Sequence, residues 1–366
     1  MEVSVQPLGE RFAAIPGDNL LKALTDRQIP ISYSCLSGRC GTCRCKVVSG
    51  DVQEAGGYAY RHHAGNDTAG ETGADARYVL ACQATVHGDC EIELPEVDEV
   101  VVHPAKILKA TVLAIEPLTH DIQRLVLKPA KPLSFSPGQY ATLQFTPDHI
   151  RPYSMAGIDA DGTLEFHIRR VPGGAVTGYV AEQLKVGDAV RVSGPLGTSY
   201  LRTRHEGPML CVAGGTGLAP VLSIVRGAVA RGMTNPIEIY VGARSPSDVY
   251  GLEWLRELAA RHDGIVRLHV VTTTGEPVVS EVLADVSDSS NSFDTSVVPS
   301  DSGPSYRLGH VTDAVAADFA SADALAGWRA YLCGAPPMVD AATALLRARG
   351  IDAAHIYADA FYANAA

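Results

Sequence analysis

Apolar and polar residues alternate in short runs along the first half of the chain. Val3–Val5 and Arg11–Ala14 show the two-residue period of strands and predict a hairpin. Asp18 is predicted to cap a short helix over Asn19–Leu24. A strand is predicted at Arg44–Val48, ended by a turn at Ser-Gly-Asp. These elements together indicate a small α+β unit.

The pattern changes twice further along. From Lys106 to Leu201, short alternating strands separated by Gly and Pro turns predict an antiparallel β-barrel. From Pro208 onward, strands alternate with helices and predict an α/β domain with a parallel sheet. The predicted strands there are Met209–Ala213, Ile237–Val241, Ile265–Val271 and Arg329–Cys333, and the predicted helices are Leu218–Arg231, Asp248–Arg261 and Pro337–Arg349.

We therefore expect a multidomain protein. A stretch with prolines at both ends, 95–105, is typical of a linker. Two polar stretches, 56–76 and 287–305, are predicted to be inserted loops, the second of them mobile. The predicted domains are 1–97, 104–205 and 206–366.

The length and net charge of the chain limit the classes of protein to which it can belong. The chain has 366 residues, enough for two or three domains with proper cores, and a net charge of −11. Residues 1–100 hold 15 acidic and 8 basic side chains. This acidity argues against nucleic-acid binding, and no apolar run reaches membrane-spanning length. Reduced thiols and an opening without an apolar signal segment predict a cytoplasmic protein.

Four cysteines carry the strongest chemical signal. Cys35, Cys40 and Cys43 have the spacing C-x4-C-x2-C, and Cys82 follows at a distance. This pattern is typical of a plant-type [2Fe–2S] cluster, which needs four thiolates around two irons. Glycines at 38 and 41 allow the sharp turns by which the loop directs N–H groups at sulfur.

Other roles for the cysteines fit less well. A disulfide framework suits small secreted domains, and a zinc ribbon needs a second C-x2-C that the pair Cys82 and Cys90 does not form. Cys45 lies two residues beyond the loop and is either an alternative ligand or, as we favour, a packed thiol. Cys90 and Cys211 are expected to be ordinary buried thiols.

Two motifs in the predicted barrel indicate a flavin site. Arg151-Pro152-Tyr153-Ser154 offers a guanidinium for phosphate, an aromatic ring for stacking and a hydroxyl for a ring nitrogen. The second motif runs from His167 and Arg169 into a turn and helix start with Gly174, Val176 and Thr177. Backbone N–H groups at such a helix start suit a pyrophosphate. A plain capped helix explains the second motif alone, so the flavin prediction depends on both together.

Two further turns in the α/β region indicate a nicotinamide nucleotide site. The first is Gly214-Gly215-Thr216-Gly217 between a buried strand and a helix, and the second is Cys333-Gly334 followed by Met338. Ligands bind at the carboxyl ends of strands in such sheets, so the two turns are expected to face one cleft. Arg244 ends the neighbouring strand and suits a 2′-phosphate, so NADPH is a candidate beside NADH.

These motifs together resemble a known family, in which a plant-type ferredoxin domain of α+β β-grasp fold precedes a ferredoxin–NADP reductase-like module. The chain looks most like the reductase components of naphthalene-type aromatic-ring dioxygenases. The resemblance lies in ISYSCLSGRCGTCRC, SPGQYATLQF, RPYSMAG and HIYADAFY, and in the order of R-P-Y-S, G-G-x-x-T, G-G-T-G-L-A-P and C-G-x-P-x-M.

The resemblance implies that the barrel motifs hold FAD and that the glycine turns hold the nicotinamide. It also implies that Phe361 covers the flavin, while Ser154 and Cys333 orient the reacting atoms. The expected function is electron transfer from NAD(P)H through FAD and the cluster to a Rieske-type ferredoxin, or alternatively directly to an oxygenase component. Arg39 and Arg44 flank the cluster loop and are hypothesised to guide an acidic partner.

Overall fold

Three sheets, each formed by a consecutive part of the chain, organise the computed structural model. It describes residues 1–33, 36–38, 41–54, 77–95, 99–100, 103–275 and 305–362. The predicted insertions at 56–76 and 287–305 lie outside the described residues, except that Ser305 begins a strand rather than ending a loop.

The first sheet has the strand order β2-β1-β5-β3-β4, with β1 and β5 parallel and the other pairs antiparallel. Helix α1 packs its apolar face on this sheet through Leu20 and Leu24, which are fully buried. This is the predicted β-grasp unit. Its elements are β1 (Glu2–Gln6), β2 (Glu10–Ala13), α1 (Leu20–Thr25), β3 (Arg44–Glu54), β4 (Arg77–Leu80) and β5 (Ala84–Glu93).

The cap of α1 differs from the prediction. The side chain of Asn19, and not that of Asp18, accepts a hydrogen bond from the N–H of Lys22 at 3.0 Å. Asp18 instead accepts from the N–H of Ile15 at 2.9 Å and closes the preceding turn. Asn and Asp are both good N-cap residues, so tertiary contacts decide which of the two side chains caps the helix.

Strand β3 is longer than predicted. It continues through the expected turn at Ser49-Gly50-Asp51 as far as Glu54. Gly50 has φ +95° and lies at irregularities in the pairing with β5, where an added Cβ would come 2.1 Å from the Asp89 carbonyl oxygen. The glycine therefore marks a bulge within a continuing strand rather than its end.

The second sheet is antiparallel throughout, in the order β10-β7-β6-β11-β8-β9. A bridge between Met155 and Phe166 joins its two outer strands, so the sheet forms the predicted barrel in nearly closed form. Its elements are β6 (Lys106–Pro117), β7 (Ile122–Pro129), β8 (Tyr140–Thr146), β9 (His149–Ser154), β10 (Leu164–Arg169), α2 (Ala175–Glu182) and β11 (Ala189–Leu196).

The third sheet is parallel, in the order β15-β14-β13-β12-β16-β17, as the alternating pattern predicted. Helix α4 begins at Leu252 and not at Asp248, because Asp248 ends a short 3-10 turn, Val249 is extended and Gly251 precedes the helix with φ +70°. The elements are β12 (Met209–Gly214), α3 (Leu218–Ala230), β13 (Ile237–Ala243), α4 (Leu252–Arg261), β14 (Val266–Thr272), β15 (Ser305–Leu308), α5 (Val311–Asp318), β16 (Arg329–Gly334), α6 (Pro336–Ala348) and β17 (Ile356–Ala360).

The barrel and the parallel sheet meet at the carboxyl ends of β12 and β16, where the predicted glycine turns lie. Within the described residues, no helix combines the length and apolar character needed to cross a membrane.

Candidate functional site

Two of the four predicted cluster cysteines are described, and their sulfur atoms receive N–H donors. Cys43 is buried and Cys82 is half-buried. The backbone N–H of Cys82 donates to Cys43 Sγ at 3.4 Å, and the amide of Gln83 donates to Cys82 Sγ at 3.5 Å. Such donors favour the thiolate form that binds iron. Cys35 and Cys40 lie outside the described residues.

Gln83 also holds the cysteine loop, a role that the sequence reasoning missed. Its amide donates to the carbonyl oxygen of Leu36 at 3.4 Å, and an added Cβ on Gly38 would lie 2.9 Å from its Cγ. Leu36 and Gly38 both have positive φ, +55° and +76°, as the sharp turns require. The described sulfurs and their donors fit a [2Fe–2S] cluster. Cys45 is 1% exposed in the core, as we favoured, and burial raises its pKa to about 12.

The flavin motif on β9 contains a buried hydroxyl with no protein partner. Tyr153 Oη is buried and makes no hydrogen bond to the described residues, and burial raises its pKa to about 12. A buried unpaired hydroxyl costs free energy, so this position fits a bound group that supplies a partner. Arg151 is half-buried on the same strand, and Pro152 between them is exposed. This arrangement fits FAD.

The start of α2 offers backbone N–H groups at the other end of the predicted flavin site. Gly174 caps the helix without a side-chain hydrogen bond, and Val176 in the first turn is half-buried. Thr177 is buried, and its hydroxyl accepts from the N–H of Val171 at 3.1 Å. Thr177 thus shapes the turn that presents the free N–H groups, which suits a pyrophosphate.

His167 links the barrel to the parallel-sheet domain. Its Nδ1 lies 3.0 Å from Tyr250 Oη, and its Nε2 lies 3.1 Å from a carboxylate oxygen of Glu165. Burial lowers the pKa of His167, and its hydrogen bond to Glu165 opposes this shift. Both ring nitrogens therefore have protein partners, and the predicted contact of His167 with a cofactor stays a prediction.

A chain of opposite charges crosses the cleft between the two domains. Arg169 lies against the first glycine turn, where an added Cβ on Gly215 would be 2.9 Å from its guanidinium. Its Nε is 3.3 Å from Asp121, which also lies 2.8 Å from Arg244. Arg244 is further paired with Asp248 at 2.8 Å. Arg244, which is predicted to bind a 2′-phosphate, is thus paired with two carboxylates. It lies beside a cleft of about 610 Å³.

The two predicted nicotinamide turns lie face to face. An added Cβ on Gly217 would lie 1.9 Å from the Cys333 carbonyl oxygen, and one on Gly214 would lie 2.7 Å from Met338 Sδ. Gly334 has φ +149°, and an added Cβ there would lie 3.0 Å from the carbonyl oxygen of Gly214. Only glycines allow the turns to come so close, which leaves the carboxyl ends of the strands open to a nucleotide. Thr216 is half-buried in the same turn.

The predicted catalytic residues come together around a carboxyl group that the sequence reasoning missed. Ser154 donates to Asp359 Oδ2 at 2.8 Å, and Asp359 is the register partner of Cys333 across β16 and β17. Burial raises the pKa of Asp359 to about 6, and the hydrogen bond from Ser154 opposes the shift. Burial, and then Asp359, keep the pKa of Cys333 well above its ordinary value, so the thiol stays neutral. Phe361 is half-buried, and its N–H donates to Gly334 at 2.8 Å.

These features define a reductase in which an iron–sulfur domain is joined to a module for a flavin and a nicotinamide nucleotide. Three family models match the chain in this order: a 2Fe-2S iron-sulfur cluster binding domain at 3–87, an oxidoreductase FAD-binding domain at 109–200 and an oxidoreductase NAD-binding domain at 211–344.

Relatives match along the whole length. The chain is 52% identical over 362 residues to the ferredoxin–NAD(P)+ reductase component of the naphthalene 1,2-dioxygenase/salicylate 5-hydroxylase systems of Ralstonia sp, covering 99% of each chain. It is 51% identical over 362 residues to the corresponding naphthalene 1,2-dioxygenase component of Pseudomonas putida, again covering 99% of each. The crystal structure of an Amycolatopsis cytochrome P450 reductase matches with a TM-score of 0.64 and 33% identity over 98% of each chain.

The chain belongs to the family of ferredoxin–NAD(P)+ reductase components that combine [2Fe–2S], FAD-binding and NAD-binding domains. The expected cofactors, FAD, a [2Fe–2S] cluster and NAD(P)H, are confirmed at the level of the domains. The individual residues that hold them stay predictions.

Proposed function

We propose that this reductase delivers electrons from NAD(P)H to a Rieske-type ferredoxin of an aromatic-ring dioxygenase system. The observation that carries the proposal is that about half of the residues along the whole chain are identical to those of reductase components of naphthalene dioxygenase systems. Plant-type clusters lie near about −400 mV, and Rieske centres lie between about −150 and +300 mV. Transfer to such a partner is therefore downhill by at least about 6 kcal/mol per electron.

When bound, FAD would supply the conversion of a hydride into single electrons, and the residues of the flavin and nicotinamide sites would orient it and exclude water. Ser154 and Asp359 share a hydrogen bond whose proton lies between β9 and β17. Cys333 is fully buried beside them and stays a neutral thiol. This pocket holds a small polar cluster in an apolar surrounding, which favours a fixed orientation of the nicotinamide.

The partner is proposed to dock beside the cysteine loop. Arg44 begins β3 directly after Cys43, and its guanidinium lies 4.0 Å from the centre of the Tyr78 ring. Tyr78 and Leu36 are 47% and 57% exposed. A cation and two exposed apolar side chains in an acidic domain fit a partner with an acidic rim and an apolar centre. Arg39 lies outside the described residues.

Charge reversal tests this docking. Arg44→Glu is expected to slow reduction of a Rieske-type ferredoxin about tenfold at low salt and to flatten its salt dependence. The matched control is Arg11→Glu, because the Arg11 side chain is 71% exposed on β2 at the opposite edge of the same sheet. Flavin bleaching by NADH should be the same in both variants. Equal rates of ferredoxin reduction in the two variants would contradict the proposed docking surface.

A second candidate acceptor is an oxygenase component that receives electrons directly. The chain is 35% identical to the reductase subunit of an aromatic O-demethylase of Amycolatopsis and 32% identical to a phenol 2-monooxygenase reductase component of Pseudomonas. The two candidates are separated by supplying the reduced enzyme with a Rieske-type ferredoxin or with an oxygenase alone. Oxidation of the reductase only by the oxygenase would replace the first proposal by the second.

A further inference from the structure

One carboxylate in the linker between the iron–sulfur domain and the barrel is buried and bound. Glu99 is 7% exposed. Its Oε2 accepts from the N–H of Thr203 at 3.1 Å, and its Oε1 accepts from the N–H of Arg204 at 2.5 Å. The guanidinium of Arg329 lies 3.6 Å away. A buried carboxylate is tolerated only when hydrogen-bonded, so these contacts fix the linker at this point.

The segment that Glu99 binds is itself held by the parallel-sheet domain. The amide of Asn235, which is 4% exposed, donates to the carbonyl oxygens of His205 and Gly207 at 2.7 Å each. The N–H of Arg329 donates to Pro208 at 3.1 Å. The connection between barrel and parallel sheet is therefore a fixed support rather than a loose hinge.

The other end of the same segment reaches the nicotinamide pocket. The hydroxyl of Ser199 donates to the carbonyl oxygen of Tyr357 at 3.2 Å, and it lowers the pKa of the neighbouring Cys333 against the larger effect of burial. Arg202 lies between the rings of Tyr200 and Tyr357, at 3.8 and 3.9 Å from their centres. Residues 199–204, which we call the junction segment, thus connect the nicotinamide pocket around Cys333 to the linker.

The iron–sulfur domain contacts this junction segment directly. Ser32, three residues before the first cysteine of the loop, has its hydroxyl 3.5 Å from Tyr200 Oη. A contact of this length between two hydroxyls is weak and does not orient a domain alone. The hydrogen bonds that the carboxylate of Glu99 accepts at the opposite end of the junction segment are charge-assisted and much stronger.

We propose that Glu99 is a positioning residue, which holds the iron–sulfur domain against the junction segment and thereby sets the rate of electron transfer between the two bound cofactors. The inference rests on the proposed electron route. It assigns to the linker a role in that step, beyond joining two domains.

The test compares Glu99→Gln and Glu99→Ala with the matched control Glu206→Gln in the holoenzyme. Glu206 is exposed two residues beyond the junction segment, so its variant removes the same charge nearby. Hydrogen exchange at the amides of Thr203 and Arg204 should accelerate about tenfold in Glu99→Gln and further in Glu99→Ala. Glu206→Gln should match the wild type.

Stopped-flow reduction by NADH separates the two electron-transfer steps. The rate of flavin bleaching and the KM for NADH should stay within about twofold of the wild-type values. The rate of cluster reduction should fall about fivefold or more in Glu99→Ala. Glu99→Gln should be intermediate, because its amide oxygen still accepts a hydrogen bond. The cluster spectrum should be unchanged.

Unchanged exchange and cluster reduction in Glu99→Gln and Glu99→Ala would overturn the proposal. So would equal slowing of flavin and cluster reduction, which indicates a general loss of structure. A wild type whose cluster NADH does not reduce would overturn the proposed function instead, a result seen before any variant is made.

Discussion

The half-buried carboxyl group of Asp359 makes the stability of the nicotinamide-binding domain depend on pH. Its pKa is raised from 3.8 to about 6 by burial, against the opposing hydrogen bond from Ser154. Between these values the folded protein retains a proton that the unfolded chain has released. The stability that this group contributes is therefore full below pH 3.8 and is lost as the pH rises through about 6.

The magnitude follows from the shift. One pKa unit corresponds to about 1.36 kcal/mol, so a rise of about two units is worth about 3 kcal/mol in total. Between pH 5 and pH 7 the linkage relation gives a loss of about 1.3 kcal/mol. Asp359→Asn replaces the carboxyl group by a neutral amide that still accepts the hydrogen bond from Ser154. Its stability relative to the wild type should therefore rise by about 1.3 kcal/mol over this range.

The assay uses the position of the tryptophans. Both of them, Trp254 and Trp328, lie in the parallel-sheet domain that contains Asp359, so their fluorescence during urea unfolding reports on the right domain. Ser154→Ala removes a bond that favours the charged carboxylate, so the loss of stability should become larger and extend to higher pH. Parallel stability curves for the wild type and Asp359→Asn from pH 5 to pH 7 would refute the reasoning.

Three other substitutions test the cluster, the glycine turn and the nucleotide cleft. Cys82→Ser should abolish the cluster's contribution to the visible absorbance and the acid-labile sulfide while the flavin absorbance remains, and Cys45→Ser should keep all three. Gly217→Ala should destabilise the protein by about 3 kcal/mol or more in urea unfolding, because its Cβ would overlap a carbonyl oxygen, whereas Gly178→Ala, with open space around it, should cost nothing. Asp121→Asn weakens the restraint on two arginines and should raise kcat/KM for NADPH relative to NADH about threefold to fivefold; an unchanged ratio would exclude this cleft as the 2′-phosphate site.

Features that depend on spacing along the chain were predictable. The cysteine pattern indicated the cluster, and the described pair, Cys43 and Cys82, lies close together as a shared site requires. The glycine turns were predictable for a similar reason. A strand that ends in Gly214 or Gly334 and leads into a helix has few alternative structures, and the parallel sheet brings both turns to the same edge.

Features that depend on contacts between distant segments were not predictable. Asp359 lies within a recognisable sequence motif, but only the pairing of β16 with β17 places it beside Cys333. Gln83 follows a cysteine, yet its hold on Leu36 depends on the fold of the loop. Arg244 was interpreted by its strand position alone, and its two carboxylate partners come from other segments of the chain.

The barrel and the iron–sulfur domain are attached to the parallel-sheet domain in ways that match their different tasks. Hydride transfer needs reacting atoms about 3–3.5 Å apart, so the surfaces that present them must be fixed relative to each other. The buried bond between His167 and Tyr250 and the partly buried bond from Ser154 to Asp359 cross that interface and fix it. The iron–sulfur domain must also present its loop to a partner. The proposed attachment through Glu99 and the junction segment leaves the exposed side chains of Leu36 and Tyr78 accessible for that encounter.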